Sequence, residues 1–171
     1  MKNTLIVNFL GGPGISKSTT TAGVFNKLKK KSINCELLTE WAKEAVWAGR
    51  TDIFKDQIYM FGEQYHRIFN LLGKVDVVIN DGCLLLNIVY DPEQRKLLTD
   101  LVLREYHQMN NFNIILHRQK EFVTAGRIHN EKEALEIDSK ILDMLGKYHI
   151  PFYRIDNNDE DIIAREILNR I

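Results

Sequence analysis

Short apolar runs punctuate the chain at Thr4–Leu10, Ile33–Leu38, Val75–Ile79, Phe112–Leu116 and Phe152–Ile155, each flanked by Gly, Asn, Asp or Pro. Runs of this length between turn-forming residues read as strands buried on both faces, so five strands are expected. The segments between them carry apolar residues at helical spacing: Val24, Phe25 and Leu28; Ile58, Phe61, Tyr65, Ile68 and Leu72; Leu97, Leu98, Leu101 and Val102; Ala134, Ile137, Ile141 and Leu145; Ile163, Ile167 and Ile171. Alternation of strand and helix predicts right-handed crossovers and an α/β architecture, a mostly parallel sheet covered on both faces, with ligands at the carboxyl ends of the strands. The tips of the first four strands read Gly11-Gly12-Pro13-Gly14, Thr39-Glu40, Asn80-Asp81-Gly82 and His117-Arg118, and this topology brings them to one crevice.

The chain has 171 residues, 44% of them hydrophobic, with no repeat, low-complexity run or linker, which predicts one domain over residues 1–171. Its 23 Lys and Arg are matched by 23 Asp and Glu. No global positive field exists to hold a polyanion, so a local site for a small molecule is favoured over bulk nucleic acid. No segment approaches the roughly 20 apolar residues of a membrane span, and Met1 to Leu10 lacks a cleavage pattern; no membrane partner and a cytoplasmic location are expected. Cys35 and Cys83 read as isolated, reduced, buried thiols, and the five histidines show no paired spacing that would suggest zinc.

The strongest chemical signal follows the first strand: Gly11-Gly12-Pro13-Gly14-Ile15-Ser16-Lys17-Ser18, then Thr19, Thr20, Thr21 and a helical segment. The spacing is that of the phosphate-binding loop GxxxxGK[ST], with Ser16 in place of the second glycine. Small residues let backbone N–H groups turn inward around an oxyanion, a lysine reaches the β- and γ-phosphates, and a hydroxyl ligates Mg²⁺. Lys17 and Ser18 fill the last two roles, and residues Gly11 to Thr19 form the candidate nucleotide cradle. A side chain at positive φ costs about 1–2 kcal/mol, so Ser16 either holds the loop's shape at that cost or redraws it.

Asp81 ends the third strand where phosphate-loop proteins place a carboxylate near Mg²⁺, and Asn80-Asp81-Gly82 is also a turn signal in its own right. Ser18 and Asp81 are thus the candidate metal-holding pair. Glu40, after the second strand, is placed to orient or deprotonate an acceptor hydroxyl; the alternative reading is a helix-start residue before Trp41, favoured by the dipole. Past the fourth strand, a basic stretch over about 118–130 reads as a lid, with Arg127 as the catalytic arginine and Arg118 on phosphate or base. Residues 41–73 are long for a plain crossover and include Trp47, Arg50, Gln57, Tyr59, Gln64 and Arg67, which suits an acceptor-binding segment. Its stripe from Ile58 to Leu72 reads as core packing or a helix contact.

Phe9 to Gly14 with Lys17 to Thr20, Leu37 to Lys43, Asp56 to Tyr59, and the run from Val75 to Leu86 together resemble the phosphate-loop kinases of the ribosylnicotinamide kinase-like group, which includes small ATP-binding proteins common in bacteriophages. The resemblance spans nearly the whole chain. It implies a three-layer αβα P-loop NTPase fold with a five-stranded sheet in the order 2-3-1-4-5, ATP and Mg²⁺ as cofactors, acceptor binding after Glu40, and a lid carrying Arg127. Ser16 departs from the group's usual glycine.

The leading expectation is an ATP-dependent kinase that transfers the γ-phosphoryl group to a nucleoside- or nucleotide-like acceptor, with Lys17, Glu40, Asp81 and Arg127 as catalytic residues. One alternative is the same chemistry on a hydroxymethylated base in DNA. Another is a nucleotide-binding switch or inhibitor with little turnover. The sequence leaves the acceptor unnamed and is compatible with a homodimer.

Overall fold

The first strand, β1 (Leu5–Leu10), occupies the centre of a five-stranded parallel sheet in the computed structural model, which describes residues 3–119 and 130–171. On one side it pairs with β3 (Val77–Asn80), which pairs in turn with β2 (Cys35–Leu38); on the other lie β4 (Asn110–Ile115) and the edge strand β5 (Tyr153–Arg154). The order is therefore 2-3-1-4-5, as the resemblance implied. Register sets Val7 opposite both Ile79 and Phe112. All six β1 residues are buried, five of them apolar and the sixth Asn8, whereas the two residues of β5 are exposed.

Alternating side chains divide the interior into two cores. Val7, Phe9, Val77, Ile79, Phe112 and Ile114 pack under α1 (Lys17–Lys30) and α7 (Glu160–Leu168), against Val24, Leu28, Ile163 and Ile167. Ile6, Leu10, Val78 and Ile115 point the other way. They meet α3 (Gln57–Phe69, after α2 at Trp41–Trp47), α4 (Leu86–Tyr90), α5 (Lys96–His107) and α6 (Glu131–Lys147). Each Leu or Ile buried here contributes roughly 1.5–3 kcal/mol relative to exposure. Helix starts follow local chemistry: Asn130 and Glu133 form a reciprocal capping box on α6, and Asp159 accepts from the N–H groups of Asp161 and Ile162 on α7.

Several expectations shift. β4 begins at Asn110, ahead of the apolar run, because buried Asn113 and half-buried Asn111 satisfy their amides inside the fold and so occupy strand positions that look polar. On α5, Leu98 and Val102 face the core while Leu97 and Leu101 are exposed, Leu97 by 84%. Adjacent residues on a helix lie about 100° apart, and one stripe of the doublets faces water. On α3, Phe61 and Ile68 are buried but Ile58 is not. The stretch leading into the short helix α4 has no periodic signal, since Cys83, Leu84, Leu85 and Leu86 are all buried in succession. Cys35 and Cys83 are free and buried, and burial pushes the Cys83 thiol up to about 12. Among the described residues, no helix is long and apolar enough to cross a membrane.

Candidate functional site

The loop between β1 and α1 is built by its sequence residue by residue. Gly11 and Gly14 take φ of 149° and 79°, and Ser16 takes φ 71° and ψ 23°, in the left-handed region immediately before the first helical residue. The chain therefore keeps the turn with a serine where the motif has glycine, at the cost expected for a Cβ in that region. Ser16 O accepts from Thr20 N–H at 3.0 Å, so α1 starts at once. The Lys17 ammonium folds back over the loop and donates to Gly11 O at 2.8 Å and Gly12 O at 3.1 Å. Gly12 is required by close approach: a Cβ there would stand 2.7 Å from Ala134 O and 2.8 Å from Asp138 Oδ1.

Below the loop, at the carboxyl end of β3, Asp81 is 2% exposed and its Oδ1 has no hydrogen-bond partner among the described residues. Burial pushes its carboxyl up from 3.8 to about 6, with Glu40 adding to the rise, while Lys17, hydrogen bonding by Ser18, and Lys43 oppose it. Asp81, Ser18, Lys17 and Glu40 thus sit in one electrostatic neighbourhood. Glu40 occupies the N-cap position of α2 without making a side-chain cap, which leaves its carboxylate to the cavity beside it.

That cavity, about 550 Å³, runs from the phosphate loop to the segment after Glu40. Pro13 to Thr19 form one end, and Phe54, Lys55, Gln57 and Met60 wall the other. Gln64 and Asn87 meet on its side at 2.7 Å, amide nitrogen of Asn87 to carbonyl oxygen of Gln64. Tyr90 lines it too, its phenol pushed up by burial and by the carboxylates of Glu40 and Asp138. Trp47, offered from sequence as part of this segment, is 70% exposed and lies outside the lining.

The sequence candidates are not all gathered in one place. Ile15, Ser16, Lys17, Ser18, Thr19 and Glu40 line the cavity with Pro13 and Gly14; Gly11 and Gly12, at the start of the loop, are buried and outside its lining. Arg118 is turned to the loop's other flank, donating to Pro13 O at 3.0 Å and to Asp138 Oδ2 at 2.7 Å. Arg127, with most of the expected lid, falls outside the described residues. Asp138, Asn87 and Tyr90 were not singled out from sequence. Asp138 stands four residues after Ala134 on the inner face of α6, a spacing that could have marked it as facing the sheet's active edge.

The arrangement is a three-layer α/β fold with a five-stranded parallel sheet in the order 2-3-1-4-5 and a phosphate-loop-like turn after its first strand. Solved structures similar to the chain include deoxyadenosine kinase from M. mycoides with bound dATP, at 18% identity over 98% of both chains with a TM-score of 0.61. Mycobacterium tuberculosis APS kinase CysC, in complex with AMPPNP and APS, is similar at 16% identity over 99% of this chain and 98% of that one, TM-score 0.54. Chaetomium thermophilum Kti12, in complex with ADP-AlF3, is similar at 10% identity over 97% and 96%, also with a TM-score of 0.54. No protein-family model and no curated protein sequence matches the chain.

Proposed function

We propose that the chain is an ATP-dependent phosphotransferase acting on a nucleoside- or nucleotide-like small molecule. The observation that carries this is a cavity joining the phosphate loop, Glu40 and a mixed apolar and amide wall. Donor and acceptor held in one chamber convert a bimolecular transfer into a positioned one. Backbone N–H groups of the loop and Lys17 would take the triphosphate of ATP. Apolar Phe54 and Met60 with the amides of Gln57, Gln64 and Asn87 suit a flat heterocycle with a polar edge, which is the basis for assigning residues 41–73 to the acceptor. The fold's likeness to kinases of nucleosides and of APS supports the same chemistry.

Ser18 and Asp81 fit Mg²⁺: a buried carboxylate oxygen with no hydrogen-bond partner among the described residues sits beside a hydroxyl, directly under the loop. Bound there, the ion would neutralise charge on the β- and γ-phosphates. Glu40 orients the acceptor hydroxyl and receives its proton as the phosphoryl group leaves ADP. Lys17 stays with the migrating phosphoryl oxygens. The arginine that completes charge neutralisation is assigned from sequence to Arg127, with the lid over 118–130.

The test is transfer from γ-labelled ATP with Mg²⁺ to a panel of nucleosides, nucleotides and ribosylnicotinamide, read by mass spectrometry. Phosphorylated product from wild type, and its loss by about 100-fold or more in Lys17→Ala, is expected. No product from any acceptor overturns the proposal.

A further inference from the structure

We propose that Asp138 is a positioning residue of the donor site, holding the phosphate loop and Arg118 in one closed set of hydrogen bonds. The inference rests on the phosphotransferase reading for its kinetic consequences, but its geometry stands apart from it. Asp138 Oδ1 accepts from Gly12 N–H at 2.5 Å, and its Oδ2 accepts from Arg118 Nη2 at 2.7 Å. Arg118 Nη1 then donates to Pro13 O at 3.0 Å, which closes the ring on the next loop residue.

The peptide group that donates to Asp138 is the one whose carbonyl, Gly11 O, accepts from Lys17 at 2.8 Å. A planar trans peptide carries these two groups on opposite sides, so Asp138 and Lys17 hold one plane from both ends. Rotation of that plane would move Gly11 O off the lysine. Three successive loop carbonyls, of Gly11, Gly12 and Pro13, are thus held by cationic side chains, two by Lys17 and one by Arg118. Asp138 steadies both cations, one through the peptide and one through a direct ion pair.

The packing of α6 against the loop leaves little room for another arrangement. Ala134 and Asp138 present a carbonyl and a carboxylate to the space a Cβ on Gly12 would fill, so α6 rests directly on the loop. Charge-assisted hydrogen bonds at these distances are about twice as strong as neutral ones. Asp138 touches no candidate phosphate or acceptor position in the cavity. Its effect is on where Lys17 and Arg118 stand before the nucleotide arrives.

The experiment compares wild type, D138A, D138N and R118A by amide hydrogen exchange of the nucleotide-free protein over residues 10–19, and by KM for ATP and for the acceptor. D138A is expected to speed exchange at Gly12 by roughly tenfold or more, and to raise KM for ATP by a similar factor while KM for the acceptor holds. D138N, whose amide oxygen still accepts but without charge, falls between wild type and D138A in both readouts. R118A raises KM for ATP and leaves Gly12 exchange near wild type. The inference is overturned if D138N, or D138A where it folds, matches wild type in Gly12 exchange. Exchange needs no nucleotide, so a wild type that fails to bind ATP would sink the phosphotransferase reading while the role of Asp138 is still decided.

Discussion

Asn80 donates its side-chain amide to Asn8 Oδ1 at 2.9 Å, across the β1–β3 pairing and one residue before Asp81. Asn8 passes the chain on, donating to Asn111 at 2.9 Å and to Asn113 at 3.1 Å, and Asn113 donates to the Tyr106 hydroxyl at 2.6 Å. Four asparagines on three strands therefore form a polar seam through an otherwise apolar face. A slip of one residue in register would break the bonds Asn8 makes to both neighbouring strands.

Asn8→Val removes the centre of the seam, taking the acceptor from the Asn80 amide nitrogen and the donor from the Asn113 amide oxygen. A loss of about 2–4 kcal/mol in unfolding free energy is expected by urea denaturation. A loss below about 0.5 kcal/mol would show that the seam contributes nothing to stability.

Ser16→Gly relieves a side chain at φ 71°. Release of about 1–2 kcal/mol of strain is partly offset by the extra chain entropy of glycine, leaving a net gain of about 1 kcal/mol or less. Because the backbone already holds the left-handed turn, turnover should change by less than about threefold. A sharp rise in activity would instead show that the serine limits the reaction.

Asp81 couples stability to pH. Its folded pKa of about 6 lies above the ordinary 3.8, so the protonated carboxyl favours folding. That contribution is whole below pH 3.8 and is lost as pH rises through about 6, a span worth roughly 3 kcal/mol. Metal-free Asp81→Asn should be more stable than wild type by up to roughly 3 kcal/mol at about pH 8, and should lose most of that advantage at low pH. The same variant should bind ATP with Mg²⁺ more weakly, by titration calorimetry. Equal stability of the two proteins at both pH values would contradict the burial cost assigned to Asp81.

Glu40→Gln preserves size and removes the carboxylate proposed as the base. A fall in kcat of about 100-fold or more, with KM for ATP nearly unchanged, is expected from steady-state kinetics on the acceptor found in the panel. A fall in ATP affinity with kcat intact would move Glu40 from the acceptor to the donor.

Much of the framework is legible in the residues. Five apolar runs mark five strands, and the loop from Gly11 to Ser18 is visible because its chemistry is local: spacing, small residues and Lys-Ser are consecutive. What Asp138 meets is not legible by the same measure, since it reaches Gly12 across 126 positions and its helix is amphipathic with or without it. Asn111 and Asn113 hide the start of β4, because polar residues in a strand make sense only when their partners are known. Arg118 is recognisable as a basic residue at a strand tip, yet its direction, away from the cavity and onto Asp138, depends on where α6 lies.

The sequence by itself determined the alternation of strand and helix and the phosphate loop, both consequences of short-range periodicity and backbone preference. Tertiary structure decided which polar groups are paired and which are spared. Among the described residues, Asp81 is left with an unpartnered oxygen, Glu40 without a capping bond, and Arg118 tied to Asp138. The reason is physical: hydrogen-bond satisfaction in a buried site is set by neighbours far along the chain, which local pattern does not encode.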